Sequence, residues 1–379
     1  MRSFSTLAAL LTAAALAAVP LAPADAQPQA AKAAEPKQDA KLAELIAPVR
    51  DKHRVPAAFA AVVRADELLA VAAVGVRKAG SDEPVTVNDK VHIGSNTKAM
   101  TATLVAMLIE EKKFRWGSTV GEVLPDLKGK VHNDYLGVTL AQLLSHTGGV
   151  VPNTVWWAAP KDKSPREQRA ALLPAILKKE PADKPGAKFA YSNASYVVAA
   201  AMAEAAAEES WEEMLAERLF KPLGMASAGF GPPGEKGKIG QPWGHTFGKE
   251  KLKPSQSDNA PVMGPAGTVH VSLRDWAKFA FLHLRGARGE AKLLKPESFA
   301  ALHTPAEGFT YAGGWVVGED GNLAHDGSNT FWYARIRLHP KGNFAVLCAV
   351  NAGGDEALAA VEDMEKVATG YYRDRFKKE

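Results

Sequence analysis

Apolar residues fall along this chain in three rhythms, and each predicts a different kind of element. Over residues 39–53, Leu42, Leu45, Ile46 and Val49 recur every three or four positions, which predicts an amphipathic helix. Residues 59–64 and 68–76 are short runs rich in Ala and Val around the polar turn Ala65-Asp66-Glu67, the pattern of two strands. The third rhythm is unbroken. From Ala99 to Ile109 there is no charged residue, and Met100, Leu104, Val105 and Leu108 keep helical spacing. That stretch predicts a helix through the protein interior, entered from a β-like segment at 91–93. Ser95 then stands at the first residue of the helix.

Beyond Phe114 the pattern is mostly helical for half the chain. Residues 139–145 read as a short capped helix stopped by His146-Thr147-Gly148-Gly149. Further helices are predicted at 166–179, 194–208, 211–220, 272–285 and 296–303. The Gly- and Pro-rich residues 229–262 read as a long loop region. Strand patterns return at 315–317, 331–338 and 344–350, before a final helix over 355–372. This order predicts an α/β fold of the α+β kind. Strands from both chain ends would pair into one antiparallel sheet flanked by helices, with an inserted α-rich lobe at about 115–265.

Composition narrows the picture. At 379 residues, 46% hydrophobic and 23% charged, the chain has the make-up of a soluble globular protein. A net charge of +4 without a basic tract gives no reason to expect a nucleic-acid partner. Residues 1–26 have the form of a secretory signal: Arg2, an apolar core over 7–19 too short to span a bilayer, and Ala24-Asp25-Ala26 as the cleavage site. A periplasmic or secreted protein is therefore expected, with no stable membrane insertion after cleavage. Residues 27–40 read as a flexible linker and 41–379 as the functional domain. Cys348 is the only cysteine, so no internal disulfide can form, and its apolar run makes it a buried core thiol.

Three short motifs could carry chemistry. Ser95 and Lys98 form the only Ser-x-x-Lys in the chain, and residues three apart on a helix are neighbours. A hydroxyl at a helix start meets a dipole that favours negative charge, and a lysine among apolar walls loses basicity until it can accept a proton. Tyr191-Ser192-Asn193 precedes the helix at 194–208. Asn193 reads either as that helix's cap or as an amide for a substrate carbonyl, and Tyr191 either as packing or as a proton partner of Ser95 and Lys98. His325-Asp326-Gly327-Ser328 leads into the strand at 331–338. Gly327 would let a substrate backbone lie close, and the Ser328 N–H could face that of Ser95 as an oxyanion hole. Two other His-x-Gly triplets, at His92 and His146, show how common the third pattern is. The remaining histidines read as structural or surface residues.

In this order, Ser95-x-x-Lys98, Tyr191-x-Asn193 and His325-x-Gly327 resemble the three motifs of the serine β-lactamase and penicillin-binding protein superfamily. Leu143-Leu144-Ser145-His146-Thr147-Gly148-Gly149, Lys221-Pro222-Leu223-Gly224-Met225 and Gly264-Pro265-Ala266-Gly267 are similar to segments of its class C and esterase-like branch. The likeness runs from about residue 41 to the end. It implies a β-lactamase/DD-peptidase-like fold and acyl transfer. Ser95 would attack a carbonyl, Lys98 and Tyr191 would shuttle protons, Asn193 would position the substrate, and His325, Gly327 and Ser328 would border the oxyanion hole. It implies no metal and no organic cofactor, and a monomer is expected. The partner would be a small-molecule ester, a β-lactam or a D-amino-acid peptide.

One departure stands out. Antibiotic-hydrolysing members carry Lys-Thr-Gly at the third motif, and here it is His-Asp-Gly. Histidine, with a reference pKa of about 6.5, offers a substrate carboxylate little charge at pH 7. Weak β-lactam turnover is expected, and an esterase or D-amino-acid peptidase fits better. A true class C-like β-lactamase and a non-catalytic penicillin-binding or sensor module remain open as alternatives. No Gly-x-Ser-x-Gly elbow and no His-Glu-x-x-His zinc motif occurs. The glycine run at 229–234 matches a dinucleotide fingerprint only on paper, since two prolines spoil its helix start.

Overall fold

A computed structural model describes residues 37–65, 67–152, 155–248, 251–290 and 292–377. The signal-sequence reading, most of the linker and Asp66 lie outside them. Twelve strands are described: β1 (Ala57–Arg64), β2 (Glu67–Gly75), β3 (Lys90–His92), β4 (Gly229–Phe230), β5 (Gly244–Phe247), β6 (Leu252–Ser255), β7 (Val269–Ser272), β8 (Tyr311–Ala312), β9 (Trp315–Val317), β10 (Leu323–Ser328), β11 (Tyr333–His339) and β12 (Phe344–Val350). Seven of them form one sheet in the order β2-β1-β12-β11-β10-β9-β8. Strands from the two chain ends meet within it, second and third from one edge, where β1 runs antiparallel to β12 with Ala58 opposite Val350 and Arg64 opposite Phe344.

At β1 and β12 this sheet is buried on both faces, which explains why the two read as continuous apolar runs rather than alternating ones. Ala57, Phe59, Ala61 and Val63 pack toward the core that holds Met100 and Leu104. Ala58, Ala60 and Val62 pack with Leu42 and Met364 of the helices Ala40–Lys52 and Asp355–Arg375. Cys348 belongs to this second layer and is buried; burial pushes its thiol pKa up, which makes it inert. The first helix starts inside the predicted linker. Asp39 caps it by accepting from Leu42 N at 2.8 Å, and Asp39 N donates to Val71 O at 2.9 Å, which ties this stretch to β2.

Residues 229–262 are not one loop. They hold β4, which joins β3 and β7 in a three-stranded sheet, and the two-stranded β5–β6. The third-motif stretch is also a strand of its own rather than the lead-in to β11. The turn between β10 and β11 includes Thr330 at φ +78°, a left-handed conformation uncommon for threonine. In β9, only Val316 and Val317 pair with β10, opposite Ala324 and Leu323. His325 to Ser328 therefore have no strand partner on that side among the described residues.

Candidate active site

Ser95 sits in a single 3-10 turn, Gly94–Asn96, that feeds directly into the helix Thr97–Glu110. The helix is buried on every face from Thr97 to Met107, in keeping with its uniformly apolar sequence. Its polar side chains are matched locally: Thr97 Oγ1 donates to Gly94 O at 2.7 Å and Thr101 Oγ1 to Pro265 O at 2.8 Å. The turn is pressed against β10 so closely that neither side can carry a side chain. A Cβ on Gly327 would lie 2.0 Å from Ile93 O and 2.7 Å from Ser95 N, and one on Gly94 would lie 2.4 Å from Ser328 N. Gly327 thus serves the approach of the serine turn itself. That approach sets the serine turn directly against the Gly327–Ser328 backbone.

Lys98 is fully buried. Its Nζ lies 3.1 Å from Ser95 Oγ, 2.8 Å from Asn193 Oδ1 and 2.7 Å from Ala266 O. No carboxylate is among these partners, and burial holds the amine well below the usual lysine range. An uncharged amine has two N–H donors and one lone pair. With Asn193 Oδ1 and Ala266 O as acceptors, the lone pair is left for the Ser95 hydroxyl proton.

Tyr191 is 38% exposed as a residue, yet its hydroxyl is buried and faces the Ser95 side chain. Burial of the phenol raises its pKa to about 12, opposed in part by Ser95, so it stays protonated near neutrality. Lys98 Nζ also lies 4.8 Å from the Tyr191 ring centroid. Asn193 does not cap its helix. Ser192 does, accepting from Ser195 N at 3.3 Å, which frees Asn193 in the first turn to hold Lys98.

His325 lies inside the same cluster with both ring nitrogens committed. Asp326 O, an acceptor, is 2.6 Å from Nδ1, so the ring proton sits there, and Nε2 accepts from the Tyr311 hydroxyl at 2.9 Å. Burial pushes its pKa down to about 3. It therefore presents neither charge nor a spare donor to a substrate. Asp326 points away from the site and is taken up by Arg335, with Nε–Oδ1 2.7 Å and Nη2–Oδ2 2.6 Å. A cavity of about 330 Å³ opens beside this group, lined by Phe189, Tyr191, Tyr311, Val316, His325, Asp326 and Arg337.

Every residue singled out from the sequence converges here, and two more join them. His146 accepts from Ser192 N on Nδ1 at 3.2 Å and packs its ring 4.4 Å from that of Tyr191 and 4.8 Å from that of Tyr311. Its motif was visible, but its contact with Tyr191 depends on a left-handed backbone at φ +59° that sequence does not announce. Tyr311, the partner of His325, stood outside every motif.

A serine hydroxyl beside a buried amine of lowered basicity, with a phenol turned toward it and the Ser95 turn pressed against the Gly327–Ser328 backbone, is the arrangement of a serine hydrolase site. The chain belongs to the β-lactamase family, whose model matches residues 42–370. It is 27% identical over 350 residues to penicillin-binding protein 4 of Amycolatopsis lactamdurans, covering 87% of this chain and 86% of that protein. Among solved structures, SurE superimposes with a TM-score of 0.73 at 24% identity, over 87% of this chain and 75% of SurE. The D-amino acid amidase of Ochrobactrum anthropi SV3, complexed with L-phenylalanine amide, gives 0.70 at 20% identity, over 88% of this chain and 99% of the amidase. These likenesses establish the β-lactamase/penicillin-binding-protein fold.

Proposed function

We propose that this protein hydrolyses esters or D-amino-acid amides and peptides through an acyl-enzyme on Ser95, with Lys98 and Tyr191 as its proton shuttle. The observation that carries the reading is the triple contact of Lys98 with Ser95, Asn193 and Ala266 O, without any carboxylate. Lys98 takes the Ser95 proton as Oγ attacks the substrate carbonyl. The oxyanion forms against the amides of Ser95 and Ser328, and Tyr191, still carrying its proton, supplies one to the leaving group. Water then attacks the acyl-enzyme, with the same groups moving the proton the other way. Asn193 spends its Oδ1 on Lys98, which leaves its NH₂ for a substrate carbonyl.

The substrate class follows from His325. Where a lysine would present a charge to a carboxylate, this chain places a neutral ring tied to Tyr311 and Asp326 O. The Phe189, Tyr191, Tyr311 and Val316 wall of the cavity favours an apolar or aromatic acyl group. Arg337 at its edge is held by Glu365, Nε–Oε2 3.2 Å. Export belongs to the same reading, supported by the signal-like pattern of residues 1–26.

p-Nitrophenyl butyrate, nitrocefin, a D-amino-acid amide and a D-Ala-D-Ala peptide, assayed side by side, test the assignment. The ester or the D-configured substrates are expected to dominate, and Ser95→Ala to abolish both turnover and labelling by a fluorophosphonate. A dominant nitrocefin rate contradicts the substrate reading. Equal labelling of wild type and Ser95→Ala defeats the nucleophile assignment.

A further inference from the structure

His92 and Asp258, 166 positions apart, meet beneath the nucleophile turn, and neither belongs to any motif of the site. His92 is fully buried, and its Nδ1 accepts from Gly94 N at 3.1 Å. Gly94 N–H can only donate, so the ring proton stands on Nε2, which donates to the Asp258 carboxylate at 3.0 Å. The same carboxylate accepts from Asn329 Nδ2 at 2.8 Å and from Asn259 N at 2.7 Å. Asn329 in turn uses Oδ1 to accept from Phe331 N at 3.1 Å and Trp332 N at 3.0 Å, which shapes the turn leaving β10.

The two arms end on either side of one point. Gly94 is the residue before Ser95, and Asn329 is the residue after Ser328. We infer that Asp258 is a positioning residue for the oxyanion hole: one buried carboxylate sets the separation of the Ser95 and Ser328 amides by holding His92 on one side and Asn329 on the other. The reason to use a carboxylate is that it accepts from all three donors at once, and charge-assisted hydrogen bonds are shorter and stronger than neutral ones. The segment that carries Asp258 also holds the proton acceptor. Asn259 Nδ2 donates to Gly267 O at 2.7 Å, one residue from the Ala266 carbonyl that binds Lys98. Nucleophile, base and oxyanion donors are thus registered through residues 258–267. This inference rests on the acyl-transfer reading above.

The test uses full-length protein, the labelling rate of a fluorophosphonate and the kcat and KM for p-nitrophenyl butyrate. Asp258→Asn keeps the shape but turns an NH₂ toward at least one of the three donors. A displaced oxyanion donor acts on the transition state and not on substrate binding. The expected result is a fall of about 10- to 100-fold in kcat and in labelling rate per active site, with KM within about twofold and full final labelling. His92→Gln and Asn329→Ala cut one arm each and are expected to lose less. Their double variant should lose no more than Asp258→Asn, because both arms end on one group. Wild-type rates per labelled site in Asp258→Asn, or a loss confined to the fraction of molecules that label, overturns the inference. So do arm variants whose losses multiply beyond that of Asp258→Asn. If Asp258→Asn does not fold, the two arm variants decide by the same kcat-against-KM split, and wild-type kcat in both overturns it. Persistent labelling of Ser95→Ala would defeat the acyl-transfer reading instead.

Discussion

One helix, Asn193–Ala207, handles a buried cation near each of its ends, and treats the two in opposite ways. Near its C-terminus Glu204 meets Arg169, a fully buried guanidinium that Glu212 also binds, at 2.5 Å and 2.6 Å from Nη2. Burial alone would lower the Arg169 pKa, but the two carboxylates outweigh it and the net shift is upward. At the N-terminus Asn193 meets Lys98, equally buried, and offers only an amide oxygen. There burial goes unopposed and the pKa falls. Equal burial gives an ion pair in one place and an amine of lowered basicity in the other. The difference lies in whether a carboxylate or a neutral oxygen faces the cation.

Deleting each cation should separate the roles. Lys98→Met is expected to lower kcat by about 10³- to 10⁴-fold for p-nitrophenyl butyrate, since it removes the general base. It should shift chemical denaturation by less than the arginine variant does, because it breaks hydrogen bonds to Asn193 and Ala266 O but no ion pair. Arg169→Met should do the reverse. It strands Glu204 in the interior at a cost of about 3 to 5 kcal/mol in urea unfolding, while the labelling rate per active site stays at the wild-type value. Activity loss without stability loss in the arginine variant would undo the comparison.

Making the lysine end resemble the arginine end sharpens it. Asn193→Asp places a carboxylate where Oδ1 now lies 2.8 Å from Lys98 Nζ. An adjacent negative charge favours the ammonium, so the free base exists only at higher pH. The expectation is a fall of about 100-fold in kcat at pH 7 with partial recovery as pH rises, read from the pH–rate profile.

The smallest effect concerns acid. Burial holds His325 down to about 3, and His245 and His270 down to about 4. Unfolded histidine, near 6.5, binds protons first, so the unfolded state gains as pH drops below that value. Each of these residues should cost about 2 kcal/mol of stability at pH 5 relative to pH 8. The loss should be complete only near the folded values. Because His325 does not charge in this window, the acid limb of catalysis should move with Lys98 and stay in place in His325→Gln.

Much of this site was legible because its motifs are local. Ser95 and Lys98 are three apart on a helix whose apolar run defines it, and Tyr191 and Asn193 flank a helix start. The sheet assembled from both chain ends was legible for a similar reason, since residues 59–64 and 344–350 are apolar enough to be buried on both faces. What escaped depends on partners far away in sequence. β4 is two residues long and exists because Gly229 and Phe230 pair with His270 and Val269. Nothing near His92 points to Asp258, and nothing near Tyr311 points to His325. The cap at Ser192 rather than Asn193 was a competition between two neighbouring good caps. In the structure Ser192 takes the cap and Asn193 Oδ1 goes to Lys98.

The central claim is that Lys98 is an uncharged amine in the resting protein. Nitrogen-15 NMR of protein labelled at lysine, with the Nζ signal assigned by its loss in Lys98→Met, reads this directly. A free-amine shift is expected at pH 8, turning to the ammonium shift on acidification. An ammonium shift that persists to pH 10 would contradict it.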